Sequence, residues 1–324
     1  MSDRYLWDRT GPADPEVERL EKLLAPLAHR PAGPQRLATG AARPRPWRAL
    51  AAAAAVVLVA AALSRFDTAA GPLTGWQIAR IDGAARIGNR DARPDMELRA
   101  GDIVRTDRES ELLLQDDDLG RVTLGSESVM RATSESRLAL NRGRLHAFIW
   151  APPRRFVVDT PSARAVDLGC EYTIDVDRNG DGFLRVSMGW VAFQHNGRES
   201  FIPAGAVCRT RRRGGPGIPY YDDAPAPLAQ AVASFDRGDT AALDTILGAA
   251  RPQDGLTLWH LMTRVSAEDR GAVFDRFAQL VKLPPEVTRE KVIARDGATI
   301  DLCWNALNLM NTDWWRGWER DWRR

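Results

Sequence analysis

The side chains able to ligate, titrate or attack are few in this chain, and they are scattered. Asp175, Asp177, Asn179 and Gly180 reproduce the opening of a calcium loop, D-x-D-x-N-G, in which alternate carboxylates converge on a hard cation. The pattern then breaks, because Val186 occupies the twelfth position, where a bidentate Glu belongs, and the flanks alternate as strands do. The stretch reads as a hairpin turn built on Asn179-Gly180 and Asp181-Gly182. His29, His146, His195 and His260 lack carboxylate or cysteine neighbours at ligand spacing. Cys170, Cys208 and Cys303 are too few and too widely spaced for a disulfide-rich scaffold or a CxxC-type zinc site. No G-x-S-x-G, Walker loop or dinucleotide fingerprint occurs. The expectation is a binding protein, not an enzyme, with no cofactor and no metal.

Composition sets the scale for the elements around these residues. The chain has 324 residues, 44% of them hydrophobic and 7% aromatic, which excludes a disordered chain and leaves room for about two domains. Its 45 Lys plus Arg against 43 Asp plus Glu leave a net charge of +2, too small for a nucleic-acid binder.

The run Ala49 to Ser64 holds nine Ala, six Leu or Val and one Ser, with no charge. With Trp47, Arg48, Arg65 and Phe66 as interfacial flanks, residues 47–66 are expected to form one transmembrane helix, since roughly 20 apolar residues cross a bilayer. Lys22, Arg30, Arg36, Arg43, Arg45 and Arg48 precede it with no acidic residue among them, so the N-terminus is expected in the cytoplasm and the later body outside, in a bacterial periplasm.

Residues 1–29 read as a short helical segment. Asp14 caps, Pro15 opens the first turn, and Val17, Leu20, Leu23, Leu24 and Leu27 form an apolar stripe, with Tyr5, Leu6 and Trp7 as a second cluster. A segment this short cannot bury such a stripe alone, which implies a partner. Residues 30–46 read as a Pro/Arg-rich linker.

Residues 67–210 read as an all-β domain, with short alternating runs at Gln77 to Ile81, Glu111 to Gln115, Arg121 to Leu124, Arg137 to Leu140, Phe156 to Val158, Tyr172 to Val176 and Val191 to Gln194. A roll, a sandwich and a short β-helix all fit. Residues 211–224 read as a linker, and 225–324 as a helical, Trp-rich region with a capping box at Ser266 to Asp269. Trp304, Trp314, Trp315, Trp318 and Trp322 crowd its end, to pack back on the body or to meet a glycan or membrane. Cys170 and Cys208 share the expected outer domain, where an oxidising compartment permits either a bridge or two free thiols. Cys303 reads as a small buried apolar residue.

Several stretches resemble one family in order. Leu98-Arg99-Ala100-Gly101-Asp102-Ile103-Val104-Arg105-Thr106 resembles a "Gly-Asp, then Thr" strand entry, and Gly120 to Gly125 the hairpin that follows. Asp159 to Ala163 with Val166 to Tyr172 resembles a "Thr-Pro, then Gly-Thr-x-Phe" core, Cys170 standing for the usual Thr. Val186 to Val191 with Pro203-Ala204-Gly205 resembles the closing element. Together they are similar to FecR-family proteins, transmembrane regulators of extracytoplasmic-function sigma factors. The resemblance implies a periplasmic β domain that relays a signal, and an anti-sigma segment at residues 1–29 whose sigma-factor contacts are Tyr5, Leu6, Trp7, Val17, Leu20, Leu23, Leu24 and Leu27. A second reading is a membrane-anchored envelope module that holds a glycan or a protein. The overall expectation is a mixed chain: cytoplasmic helix, transmembrane helix, periplasmic β domain and C-terminal helices.

Overall fold

The computed structural model describes residues 71–309 and Arg19, which is helical and exposed. The chain divides into two units, Met1–Asp67 and Thr68–Arg324, and the description below concerns the second.

Runs with an apolar side chain at every second position become strands, because such a strand can bury one face and wet the other. The first are β1 (Leu73–Asp82), β2 (Ala85–Ile87), β3 (Arg90–Asp91), β4 (Glu97–Arg99), β5 (Ile103–Thr106) and β6 (Glu111–Asp116). Next come β7 (Gly120–Leu124), β8 (Val129–Ser134), β9 (Arg137–Ile149), β10 (Val157–Asp159), β11 (Arg164–Asp167) and β12 (Glu171–Val176). The last are β13 (Gly182–Met188), β14 (Trp190–His195), β15 (Arg198–Pro203), β16 (Ala206–Arg211), β17 (Gly215–Pro216) and β18 (Tyr220–Tyr221).

Two sheets share the long strand β9. One runs β4–β1–β6–β7–β9–β12–β13–β16, with β17 and β18 paired to β16. The other runs β3–β2–β5–β8–β9–β10–β11–β14–β15. The β9–β10 pair is parallel and the others are antiparallel. β9 changes sheets at Gly143, which has φ 95°; a Cβ there would lie 2.2 Å from Ser128 Oγ, so only glycine fits. Ser128 Oγ in turn accepts the Arg144 N–H at 3.0 Å, which holds the crossing. Trp76 of the first sheet meets Phe156, just ahead of β10 in the second, at 5.6 Å and donates its Nε1–H to Glu135 O, so the core lies between the layers.

The expected strands all form. The D-x-D-x-N-G stretch is the β12–β13 turn: Asp177 Oδ1 accepts the N–H groups of Asn179 and Asp181, and Gly180 adopts φ 85°. The stretch 211–224, expected as a linker, instead carries β17 and β18, and Ile218 is fully buried. Its Gly-rich sequence turns tightly and returns to β16, a tertiary pairing that local composition does not encode.

Among the described residues six α-helices follow: α1 (Ala226–Phe235), α2 (Ala242–Ala249), α3 (Gly255–Met262), α4 (Ala267–Leu280), α5 (Arg289–Ile293) and α6 (Gly297–Ala306). Ser266, Thr288 and Asp296 cap the last three by accepting backbone N–H groups three residues on. These helices continue the β core without a break, from Trp76 to Trp304. Trp304 packs on Trp190 of β14 at 5.9 Å and on Phe201 of β15 at 5.7 Å, and Cys303 beside it is fully buried.

The expected fold class needs correction. The described residues form a mostly β domain with C-terminal helices, and among them no helix is long and apolar enough to cross a membrane. The longest, α4, has only 14 residues and carries charge along its length. The stretches read as a sigma-binding segment (1–29), a linker (30–46) and a transmembrane helix (47–66) lie outside the described residues, apart from Arg19, as do Trp314, Trp315, Trp318 and Trp322.

Candidate interaction face

Alternation along β6, β7, β9, β12 and β13 points aliphatic residues inward and leaves an outer face of mixed chemistry. The registers align Gln115, Arg121, Phe148, Glu171 and Met188 in one row across the five strands. The adjacent row is Leu113, Thr123, His146, Thr173 and Arg185. Phe148 is 39% exposed, Met188 47% and, just past the end of β9, Trp150 44%. These are large apolar side chains with hydration to lose; Phe148 and Trp150 touch, and Met188 lies in the same row as Phe148, one strand beyond Glu171.

The aromatic pair is fixed in place. Trp150 donates Nε1–H to Asp117 O at 2.9 Å, meets the Phe148 ring edge-on at 6.0 Å, and has the Arg121 guanidinium 6.0 Å above it. His146 Nε2 lies 3.0 Å from Glu171 Oε1, and Arg144 donates to Asp175 at 2.7 Å. A pre-ordered aromatic shelf with polar groups around it gives a partner apolar area at little entropic cost.

Behind this face lies a buried polar cluster. Asp167, 1% exposed, accepts the Gly169 N–H at 2.7 Å and the Cys170 thiol. Burial pushes the Asp167 carboxyl up to about 7, against the opposing pull of those two hydrogen bonds. Burial and the neighbouring Asp167 push the Cys170 thiol well above its ordinary value. The Tyr172 hydroxyl is buried and has no hydrogen-bond partner among the described residues.

A Cys170–Cys208 bridge is corrected by the register, and all three cysteines are free and buried. Ile174 faces Leu184 and Leu184 faces Cys208, so Cys208 is two strands away from Ile174, while Cys170 lies four residues before Ile174, just ahead of β12. With about 4.8 Å between strands and about 3.3 Å per residue, the two lie roughly 16 Å apart, against a Cα limit of about 7 Å for a disulfide. Cys208 is instead packed near Gly217 O, and burial raises its thiol to about 12.

The expected sigma-factor contacts Tyr5, Leu6, Trp7, Val17, Leu20, Leu23, Leu24 and Leu27 lie outside the described residues. The outer strip was missed because the second half of β9 was not read as a strand. Its signal is present in Arg144 to Trp150, where Arg, His, Phe and Trp alternate with Leu, Ala and Ile.

Fold and face together define a two-layer β body with a helical cap and an exposed aromatic strip. No family model matches the sequence, and no curated protein matches it. Among solved structures, the chain is similar to two crystal structures of candidate anti-sigma factors from Parabacteroides distasonis ATCC 8503. Against the one at 1.65 Å the TM-score is 0.33 at 15% identity, covering 40% of this chain and 63% of that one. Against the one at 2.50 Å the TM-score is 0.33 at 14% identity, covering 44% and 73%. The chain thus spans less than two thirds of the first of these neighbours.

Proposed function

We propose that this chain is an anti-sigma regulator of the FecR kind: residues 1–29 hold an extracytoplasmic-function sigma factor, and the β body receives the signal that alters that hold. The supporting observation is that the FecR-like stretches, in family order, each serve a turn or strand entry of one β body. Gly101 takes φ 99° and Asp102 accepts the Arg99 N–H at 2.8 Å, closing the β4–β5 turn. Thr106 Oγ1 donates to Gly125 O at 2.6 Å and accepts the Ser128 N–H at 2.9 Å. Thr160 Oγ1 accepts the Ala163 N–H at 3.0 Å in the β10–β11 turn, and Gly169 and Gly205 take φ 85° and 78°. The role is one of binding and relay, without catalysis.

The strip of Phe148, Trp150 and Met188 favours a second reading, in which the body holds a glycan or another protein and no sigma factor is involved. The two readings separate in one experiment on the full chain, co-expressed with each extracytoplasmic-function sigma factor of its genome and a matching promoter reporter. Sigma control requires that one reporter respond to the chain and that Leu20→Asp with Leu24→Asp remove the response, while Trp150→Ala leaves the hold intact and changes only its modulation. If every reporter ignores the chain, the binding-module reading stands.

A further inference from the structure

Among the described residues β15 pairs with β14 alone, and along its other side Glu199 and Phe201 turn backbone groups toward α3 and the turn that follows it. An open edge of this kind invites another strand, and proteins commonly cover it. Here side chains of the α3 segment do so. His260 Nε2 accepts the Phe201 N–H at 3.1 Å, and Arg264 donates to Glu199 O at 2.9 Å and to Ser200 Oγ at 2.6 Å. The next outward residue is Pro203, which has no N–H to satisfy. His260 stands in the last turn of α3 and Arg264 in the turn just past its end, so the two side chains reach outward groups two residues apart on β15.

The His260 ring is committed to one protonation state. A backbone N–H can only donate, so Nε2 must be the acceptor; Nδ1 then carries the hydrogen and donates to Leu256 O at 2.9 Å. The ring is 1% exposed and lies against Trp259 at 4.9 Å, Trp304 at 6.3 Å and Phe201 at 6.5 Å. A second proton, on Nε2, would set its N–H against the Phe201 N–H.

We propose that His260 and Arg264 form an acid-labile clasp over the open edge of β15, and that acidification, by protonating His260, loosens the helical cap from the β body. The charged and titratable groups around the seam are arranged to allow this. On the α3 side the cation Arg264 opposes a second charge on the ring. On β15, Glu199 takes a hydrogen bond from Gln194 and Arg198 donates to Gly214 O. From the end of α1, Asp236 holds the Ile218 N–H and acts on Arg264. Cys208 of β16 also acts on Arg264, and α6 presents Trp304 with the buried Cys303.

Once the clasp opens, the ring titrates near the ordinary value of about 6.5, so between pH 7.5 and pH 5.0 the opening constant rises about 30-fold. Hydrogen exchange of the Phe201 amide in the full chain, corrected for intrinsic rate, reads that constant, with Ile174 in the sheet centre as reference. Expected are an about 30-fold loss of Phe201 protection relative to Ile174 in the wild type, and no such loss in His260→Gln, whose side-chain oxygen accepts the same N–H and does not titrate. A wild-type loss no larger than at Ile174, or an undiminished loss in His260→Gln, overturns the proposal. A variant that leaves the clasp untouched, His146→Gln with His195→Gln, must keep the full 30-fold loss; if the loss disappears there, the clasp is not its source.

Discussion

Replacing Asp167 by Asn should change how stability depends on pH. In the folded chain burial holds this carboxyl at about 7, against an ordinary value of 3.8. Because the folded pKa is raised, the folded state keeps its proton while the unfolded chain loses it, so stability falls as pH climbs from about 4 to about 7 and then levels off. A shift of about three units at about 1.4 kcal/mol each amounts to about 4 kcal/mol. Asn keeps an oxygen for the Gly169 N–H and does not ionise, so the variant should gain on the wild type by up to about 4 kcal/mol across that window. Urea unfolding of both proteins at half-unit steps from pH 4 to pH 8 measures the difference directly, and the subtraction removes other carboxylates such as Asp159. That group, though desolvated, is pulled below its ordinary value by Arg137 and Arg164 and gives the opposite slope. A difference between the two proteins that stays constant with pH would refute the buried-carboxyl reasoning.

Other expected outcomes follow from the same geometry. Tyr172→Phe removes a buried hydroxyl without a hydrogen-bond partner among the described residues and should leave stability unchanged or raise it by about 1 kcal/mol in the same urea assay. Gly143→Ala forces a side chain into Ser128 at positive φ and should cost at least about 2 kcal/mol, with a matching loss in thermal midpoint. Thr106→Val removes two hydrogen bonds, one buried and one partly buried, and should cost about 1 to 3 kcal/mol. Thiol labelling of the denatured, unreduced chain should find three reactive cysteines, and a count of one would restore the bridge that the register excludes.

The seven runs named from the sequence were legible because they alternate, several of them closing on turn residues such as Asp82-Gly83 and Asn179-Gly180, whereas the short strands β2, β3, β17 and β18 carry too few residues to show a period. Helix starts were legible at Ser266, whose hydroxyl accepts the Asp269 N–H at 3.1 Å. What escaped is non-local. β17 and β18 pair through a loop whose composition reads as a linker, and the two-sheet arrangement depends on one glycine in β9 changing direction. The separation of Cys170 from Cys208 is a matter of register, which spacing along the chain does not fix. The outer strip needed the full length of β9 before Phe148 and Trp150 stood on one side.

The central claim is that the apolar stripe of residues 1–29 grips a sigma factor. Burying each Leu of that stripe contributes roughly 1.5 to 3 kcal/mol, so losing two should weaken binding by about 100-fold or more. The direct measurement is the dissociation constant of the full chain for the sigma factor whose reporter it controls, for the wild type, Leu20→Asp with Leu24→Asp, and Glu18→Ala. Tight binding by the wild type and by Glu18→Ala, with at least about 100-fold loss in the double variant, is the predicted result. Equal affinity in all three would contradict it.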